Sequence, residues 1–277
     1  MIYKNEKKLV DFKLGTRRIV KVLVGEELVW KYTPIPAETT TLRLHLTSEL
    51  TQNLYYTQSA ATGVTIDWGD GSAAETVSDL SATATHTYAE AGDYTVSMTA
   101  GDGVTWWPGT SGFLFGYNIL GADMFDASDA SPQLVGVHLD GHVSEIRPPS
   151  FYGCTALENI TIPESIQEIS SLAFSGCTAL ESAEIAANRI LGSAFSGCTS
   201  LHGVWLRDSV ETIEVFVSQD ARSCTPPWTT VASDFTIYCE ADSRPAGWNE
   251  YFNVFRSASS GTEIIYPVVW GQSTSPF

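Results

Sequence analysis

The chain has 277 residues, 43% hydrophobic and only 17% charged, which is enough apolar material to bury real cores and too much for a disordered chain. Fifteen Lys and Arg against 32 Asp and Glu leave a net charge of -17, which repels phosphate backbones and anionic lipid and argues against nucleic-acid and membrane-surface partners. No apolar run approaches the ~18 residues of a spanning helix, and Met1–Lys8 lacks the apolar segment and small-residue cleavage site of a Sec leader. The expectation is therefore a chain without membrane insertion, made and kept in the cytoplasm of the producing cell.

The charge is unevenly spread. All six Lys, with Arg17 and Arg18, lie in residues 1–32 beside four acids, so that segment is basic while the rest is strongly acidic. Arg18–Val24 and Leu28–Tyr32 are β-rich runs around Gly25-Glu26-Glu27, which predicts a hairpin with apolar residues on both faces. A lone hairpin is marginal, so a docking module is expected, with Arg17, Arg18, Lys21, Trp30 and Lys31 as the candidate docking residues. The run from Arg18 to Trp30 resembles the short VYxGxxxVW elements that open many phage-borne minor structural proteins. Thr33-Pro34-Ile35-Pro36 then reads as a stiff linker over 33–37.

From Thr40 the pattern changes to short strands of period two, among them Thr41–Leu46, Val64–Trp68 and Asp93–Met98, punctuated by Gly and Asp turns. Asp67-Trp68-Gly69-Asp70-Gly71-Ser72, followed by His86-Thr87-Tyr88 and Gly92-Asp93-Tyr94-Thr95-Val96, resembles the PKD family over residues 38–102. That resemblance implies an immunoglobulin-like sandwich used as a spacer or contact module. Asp67, Asp70 and Asp93 read as turn chemistry rather than calcium ligands, because an Asp in Gly-Asp-Gly caps its own backbone. Residues 103–123 form an aromatic junction in which Trp106 and Trp107 either plug a seam or stack on sugars.

The following section repeats. Leu134–Leu139, Leu157–Ile162, Leu180–Ile185 and Leu201–Leu206 align without gaps, and Ile146, Ile169, Ile190 and Ile213 form a second register. Ser150–Thr155, Ala173–Thr178 and Ala194–Thr199 form a third. Three agreeing registers predict a solenoid. The repeat AFxGCTxLxxIxIPxxIxxI resembles BspA-like leucine-rich repeats over 124–234, with 235–277 similar to a terminal cap; known members act in adhesion and host contact.

Alternation within the repeat strands sends Val137 and Leu139, Ile160 and Ile162, Ala183 and Ile185, and Val204 and Leu206 inward. His138, Thr161, Glu184 and Trp205 are then expected as one exposed column, with Gly136, Asn159, Ser182 and Gly203 as the next. Trp205 is the predicted binding anchor, unless the cap covers it. Cys154, Cys177 and Cys198 share one repeat position and read as a ladder of small buried thiols. The sequence has no GxSxG, P-loop or HExxH motif. On a strand leading into a turn His138 and His142 would stand roughly 13 Å apart at ~3.3 Å per residue, too far for one ion unless the turn folds back.

The fold class predicted is mainly β: a hairpin module, an immunoglobulin-like sandwich, then a capped leucine-rich-repeat solenoid. The function expected is non-enzymatic, without metal or cofactor, in a phage virion as a tail, fibre or capsid appendage. Its partners would be other virion proteins through residues 1–32 and a host surface protein or glycan through the solenoid, with a homo-oligomer compatible. A bacterial cell-surface adhesin and a carbohydrate-binding accessory module are the alternatives.

Overall fold

The computed structural model describes residues 2–4, 7–14, 17–24, 27–31, 39–46, 50–58, 63–77, 81–100, 106–108, 134–139, 141, 143, 145–146, 150–219 and 222–277, and all of its regular elements there are strands. The proline linker at 33–37, junction residues 103–105 and 109–123, and His142 lie outside the described residues. Among the described residues no helix is long and apolar enough to cross a membrane.

The basic segment belongs to a unit spanning Met1–Ala37. Strands β1 (Ile2–Lys4), β2 (Lys7–Leu14), β3 (Arg17–Val24) and β4 (Glu27–Lys31) form an antiparallel sheet in sequence order. The predicted hairpin is its β3–β4 half, with Lys21 opposite Lys31 and Val22 opposite Trp30. The sequence reading missed the other half, in which β2 pairs along β3 from Lys7 opposite Val24 to Leu14 opposite Arg17. Four strands supply the ladder that an isolated hairpin lacks.

The rest of the chain, Glu38–Phe277, begins with a sandwich. Its strands are β5 (Thr39–Leu46), β6 (Leu50–Gln58), β7 (Val64–Asp67), β8 (Glu75–Val77), β9 (Ser81–Tyr88), β10 (Gly92–Ala100) and β11 (Trp106–Pro108). One sheet runs β5-β10-β7-β8 and the other β11-β6-β9. Leu42, Leu44, Leu46, Val64, Ile66, Val96 and Met98 are buried, as the period-two pattern requires. The turn after β7 places Gly69 at φ 78°, where a Cβ would stand 2.3 Å from the Thr95 carbonyl oxygen, so only glycine fits.

Strand β12 (Leu134–His138) departs from the expected scheme. It aligns in sequence with the repeat strands, yet it pairs antiparallel with β5, His138 opposite Thr41, and extends the sandwich sheet. An open β5 edge and the open first end of a solenoid both need covering, and one strand covers both.

The remaining strands are β13 (Glu145–Ile146), β14 (Asn159–Ile162), β15 (Glu168–Ile169), β16 (Ser182–Ile185), β17 (Arg189–Ile190), β18 (Gly203–Leu206), β19 (Thr212–Ile213), β20 (Phe216–Val217), β21 (Cys224–Thr225), β22 (Thr236–Cys239), β23 (Val254–Arg256), β24 (Glu263–Ile265) and β25 (Val268–Val269). Two parallel ladders define the solenoid. The main one is β14-β16-β18-β22-β25 and the second is β13-β15-β17-β19. The main ladder runs on into the segment that resembles a cap, since β22 lies parallel to β18 with Trp205 opposite Tyr238. A small antiparallel sheet, β20-β21-β23-β24, stands beside them.

Repetition in the sequence becomes stacking in space. The Phe151 and Phe174 rings lie 4.8 Å apart and the Phe174 and Phe195 rings 5.0 Å apart, within 4° of parallel. Trp228 takes the following rung, because the Phe195 amide donates to Pro227 O just as that of Phe174 donates to Ala194 O. The Cys177 thiol donates to Phe151 O and the Cys198 thiol to Phe174 O, each at 3.1 Å. Burial, first for Cys177, and the neighbouring thiol, first for Cys198, hold both well above the usual thiol range, so neither supplies a thiolate at neutral pH.

Candidate functional site

The parallel register of the main ladder builds the site. Thr161, Glu184, Trp205 and Tyr238 stand opposite one another on β14, β16, β18 and β22, and Asn159, Ser182, Gly203 and Thr236 form the adjoining column. Ile160, Ile162, Ala183, Ile185, Val204 and Leu206 point the other way and are buried, so the predicted alternation holds on β14 and β16, whereas on β18 Gly203 and Trp205 are buried as well.

The column differs from expectation at two places. His138 is exposed, but its strand is hydrogen-bonded to the sandwich, so it is not a rung of the parallel ladder. Trp205, the predicted exposed anchor, keeps only 4% of its surface accessible. Its indole Nε1–H donates to Gln272 O at 2.9 Å, and the Arg207 guanidinium lies over its ring, 4.5 Å from the centroid. Residues 271–277 cross this part of the sheet as a strap, anchored by the Gly271 amide on Ala241 O and the Gln272 amide on Cys239 O. The cover comes from 67 positions further along the chain, a distance no local pattern reports.

Beside Trp205 lies a polar concavity of about 430 Å³, lined by Thr161, Pro163, Glu184, Arg207, Asp208 and Glu240 among others. Arg207 bridges two rungs. Its Nη1–H donates to Glu184 at 2.8 Å and its Nε–H to Glu240 at 2.9 Å, while the Asp208 amide donates to the same Glu240 oxygen at 3.1 Å. The Arg207 hydrogen bond, helped by the Asp208 amide, holds the Glu240 carboxyl below the usual range, so it stays ionised in mild acid. Thr161 and Glu184 were predicted; Arg207, Asp208 and Glu240 were not. The signal for Arg207 and Glu240 is the repeat position just after each strand, held by Pro163, Ala186, Arg207 and Glu240, where charge appears only in the later rungs.

The other candidates lie elsewhere. The Trp106 and Trp107 backbone forms β11, opposite Gln58 and Thr57 of β6, and so belongs to the sandwich. Arg17, Arg18 and Lys21 lie on β3 and Trp30 and Lys31 on β4, in the separate first unit. In the sandwich the acids named in the sequence have local partners. Asp67 accepts from the Gly69 amide, Asp70 from the Ser72 amide and the His86 ring, and Asp93 pairs with His45. Among the described residues no three His, Cys, Asp or Glu side chains gather as metal ligands would.

Residues 36–107 match the PKD domain. Residues 121–224 match the BspA type leucine rich repeat region, in 6 copies. Neither a curated protein nor a solved structure matches the chain significantly. A domain similar to PKD, followed by repeats similar to the BspA type, is an arrangement of interaction modules that suggests a binding or surface-adhesion protein.

Proposed function

We propose that this chain is an attachment protein of a phage virion, held on the particle by its basic first unit and meeting a host-surface protein or glycan through the solenoid. The observation that carries the reading is the division of labour along the chain: a basic β unit ending at Ala37, then an acidic unit whose solenoid presents a polar, ion-paired face. The resemblance of Arg18–Trp30 to elements of phage structural proteins supports the particle side. The adhesive role of BspA-like repeats supports the host side. In this arrangement the sandwich acts as a spacer and as the cover for the first end of the solenoid.

Density-gradient fractionation of the source culture, with peptide mass spectrometry locating the chain, tests the proposal. Co-sedimentation with DNA-containing particles, at a fixed ratio to a capsid protein, is the expected result. Recovery in the cell envelope instead overturns the virion reading in favour of a cell-surface adhesin.

A further inference from the structure

The strap over the main ladder is fastened unevenly. At its start, two backbone hydrogen bonds and the Trp205 indole hold Gly271 and Gln272. Beyond Gln272, Ser273–Pro276 are exposed, and the bonds there stay inside the strap: Gln272 Nε2–H donates to Thr274 O and the Phe277 amide to Ser275 Oγ. The strap meets the sheet again at the Phe277 ring. That ring stands edge-on to Tyr238, 5.8 Å between centroids, above Gly203, where an added Cβ would be 3.0 Å from Phe277 Cε1 and Cζ.

Gly203 is what makes room. Its column carries Asn159, Ser182 and Thr236 on the other rungs, so the missing side chain on β18 leaves a notch in the sheet face with Tyr238 beside it. Phe277 fills the notch and is still 54% exposed. A half-exposed ring with no polar tie forfeits part of the stabilisation that full burial of such a side chain would give. Such a contact can be exchanged for a better-fitting one.

We propose that the notch of Gly203 and Tyr238, with the Trp205 indole next to it, is a recognition site for an extended peptide segment of a partner protein carrying an aromatic side chain. Residues 271–277 are its resident competitor. The strap itself displays the chemistry of the ligand: a planar ring, carried on a peptide backbone, for the space left by Gly203. A peptide partner supplies the same ring in the same setting, while Gln272 keeps its bond to the Trp205 N–H. The inference rests on the binding reading above and narrows its partner to a protein; where the chain resides on a particle or cell does not enter it.

The test uses the full chain, wild type and Phe277→Ala, titrated with a synthetic peptide of residues 270–277 while the Trp205 indole N–H resonance is followed. The resident ring lowers the apparent affinity by the fraction of time that the notch is free. Phe277→Ala is therefore expected to bind the peptide at least tenfold more tightly than wild type. The copy of the peptide with Ala in place of Phe should not bind, and adding Gly203→Val to Phe277→Ala should abolish binding. Phe277 is half exposed, so the single variant folds whatever becomes of the double one. No peptide binding to Phe277→Ala overturns the proposal, as does equal binding of the Ala peptide. A response to a neutral dextran oligosaccharide without one to the peptide also overturns it, and would assign the face to glycan instead. Each of these failures leaves the fractionation result untouched, so the two readings fall separately.

Discussion

The solenoid and the sandwich bury aromatic residues by opposite strategies. In the solenoid the same side chain recurs on successive rungs, Phe151, Phe174 and Phe195 in near-parallel stacks, and each ring lies on the next. Among the described side chains of the sandwich the rings do not repeat at a fixed spacing, and their contacts run from one to the next. The Trp68 ring stacks on His86 at 5.0 Å, His86 meets Tyr88 edge-on at 4.8 Å, and Tyr88 tilts against Tyr94 at 4.3 Å. Redundant rungs make solenoid stability a sum of nearest-neighbour terms, whereas each described ring contact of the sandwich joins a different pair of side chains.

The largest expected effect tests the nearest-neighbour view. Phe174→Ala removes the middle ring of the stack and leaves a cavity between two others, at a cost of about 3–5 kcal/mol by urea denaturation. Phe151→Ala and Phe195→Ala, on either side of it, should have costs that add in the double variant, because the Phe174 ring stands between the two. Costs that fail to add would mean that the rungs do not act as separate neighbours. In the sandwich the corresponding change is Tyr88→Phe. The Tyr88 hydroxyl is buried and donates to Trp68 O at 2.8 Å, so its loss leaves that carbonyl without its donor and costs about 1–3 kcal/mol. An unchanged denaturation midpoint would show that the link between the two sheets does not depend on this bond.

How much of this was legible in the sequence follows the same divide. Repetition announces itself, so the ladder registers and the inward residues could be read from spacing alone. The sandwich was legible through its two motifs, because Gly69 and Asp70 carry turn chemistry in their residue types. Pairings decided by distant chain were not legible. β12 has the sequence of a repeat strand, but whether it bonds to β5 or to β14 depends on which edge is open in three dimensions. The cover over Trp205 comes from Gln272, and the charge bridge of Arg207 needs Glu240 from a later rung. In the first unit a signal was present and passed over: Val10, Phe12 and Leu14 alternate with Asp11 and Lys13, which is the pattern of the strand found there.

A pH series sharpens the view of the sandwich as a set of contacts between different pairs of side chains. Hydrogen bonds from Ser72, then from His86, hold the Asp70 carboxyl far below the ordinary Asp value of 3.8. A depressed carboxyl contributes stability that is complete above the unfolded value and is lost as pH falls below it toward the folded one. Asp70→Asn should therefore destabilise the sandwich most near pH 6, and its deficit relative to wild type should shrink as acid unfolding is followed below about pH 4. A deficit that stays constant with pH would assign the role of Asp70 to turn geometry and not to its charge.

The smallest effects are expected at two arginines that look alike. Arg189 bridges Glu168 and Glu214 on the second ladder as Arg207 bridges Glu184 and Glu240 on the main one. Exposed pairs contribute little, because both partners are well hydrated when apart and salt screens them, so Arg189→Gln should change stability by no more than about 0.5 kcal/mol and by less in high salt. Arg207 also lies over the Trp205 ring, a contact that adds roughly 0.5–1 kcal/mol and survives screening because the indole is covered. Arg207→Gln should accordingly cost more than Arg189→Gln, and the difference between the two should persist at 1 M NaCl. If the two variants converge at high salt, the ring contact adds nothing. The Arg207 bridge would then be one more surface pair, and the strap alone would account for the protection of Trp205.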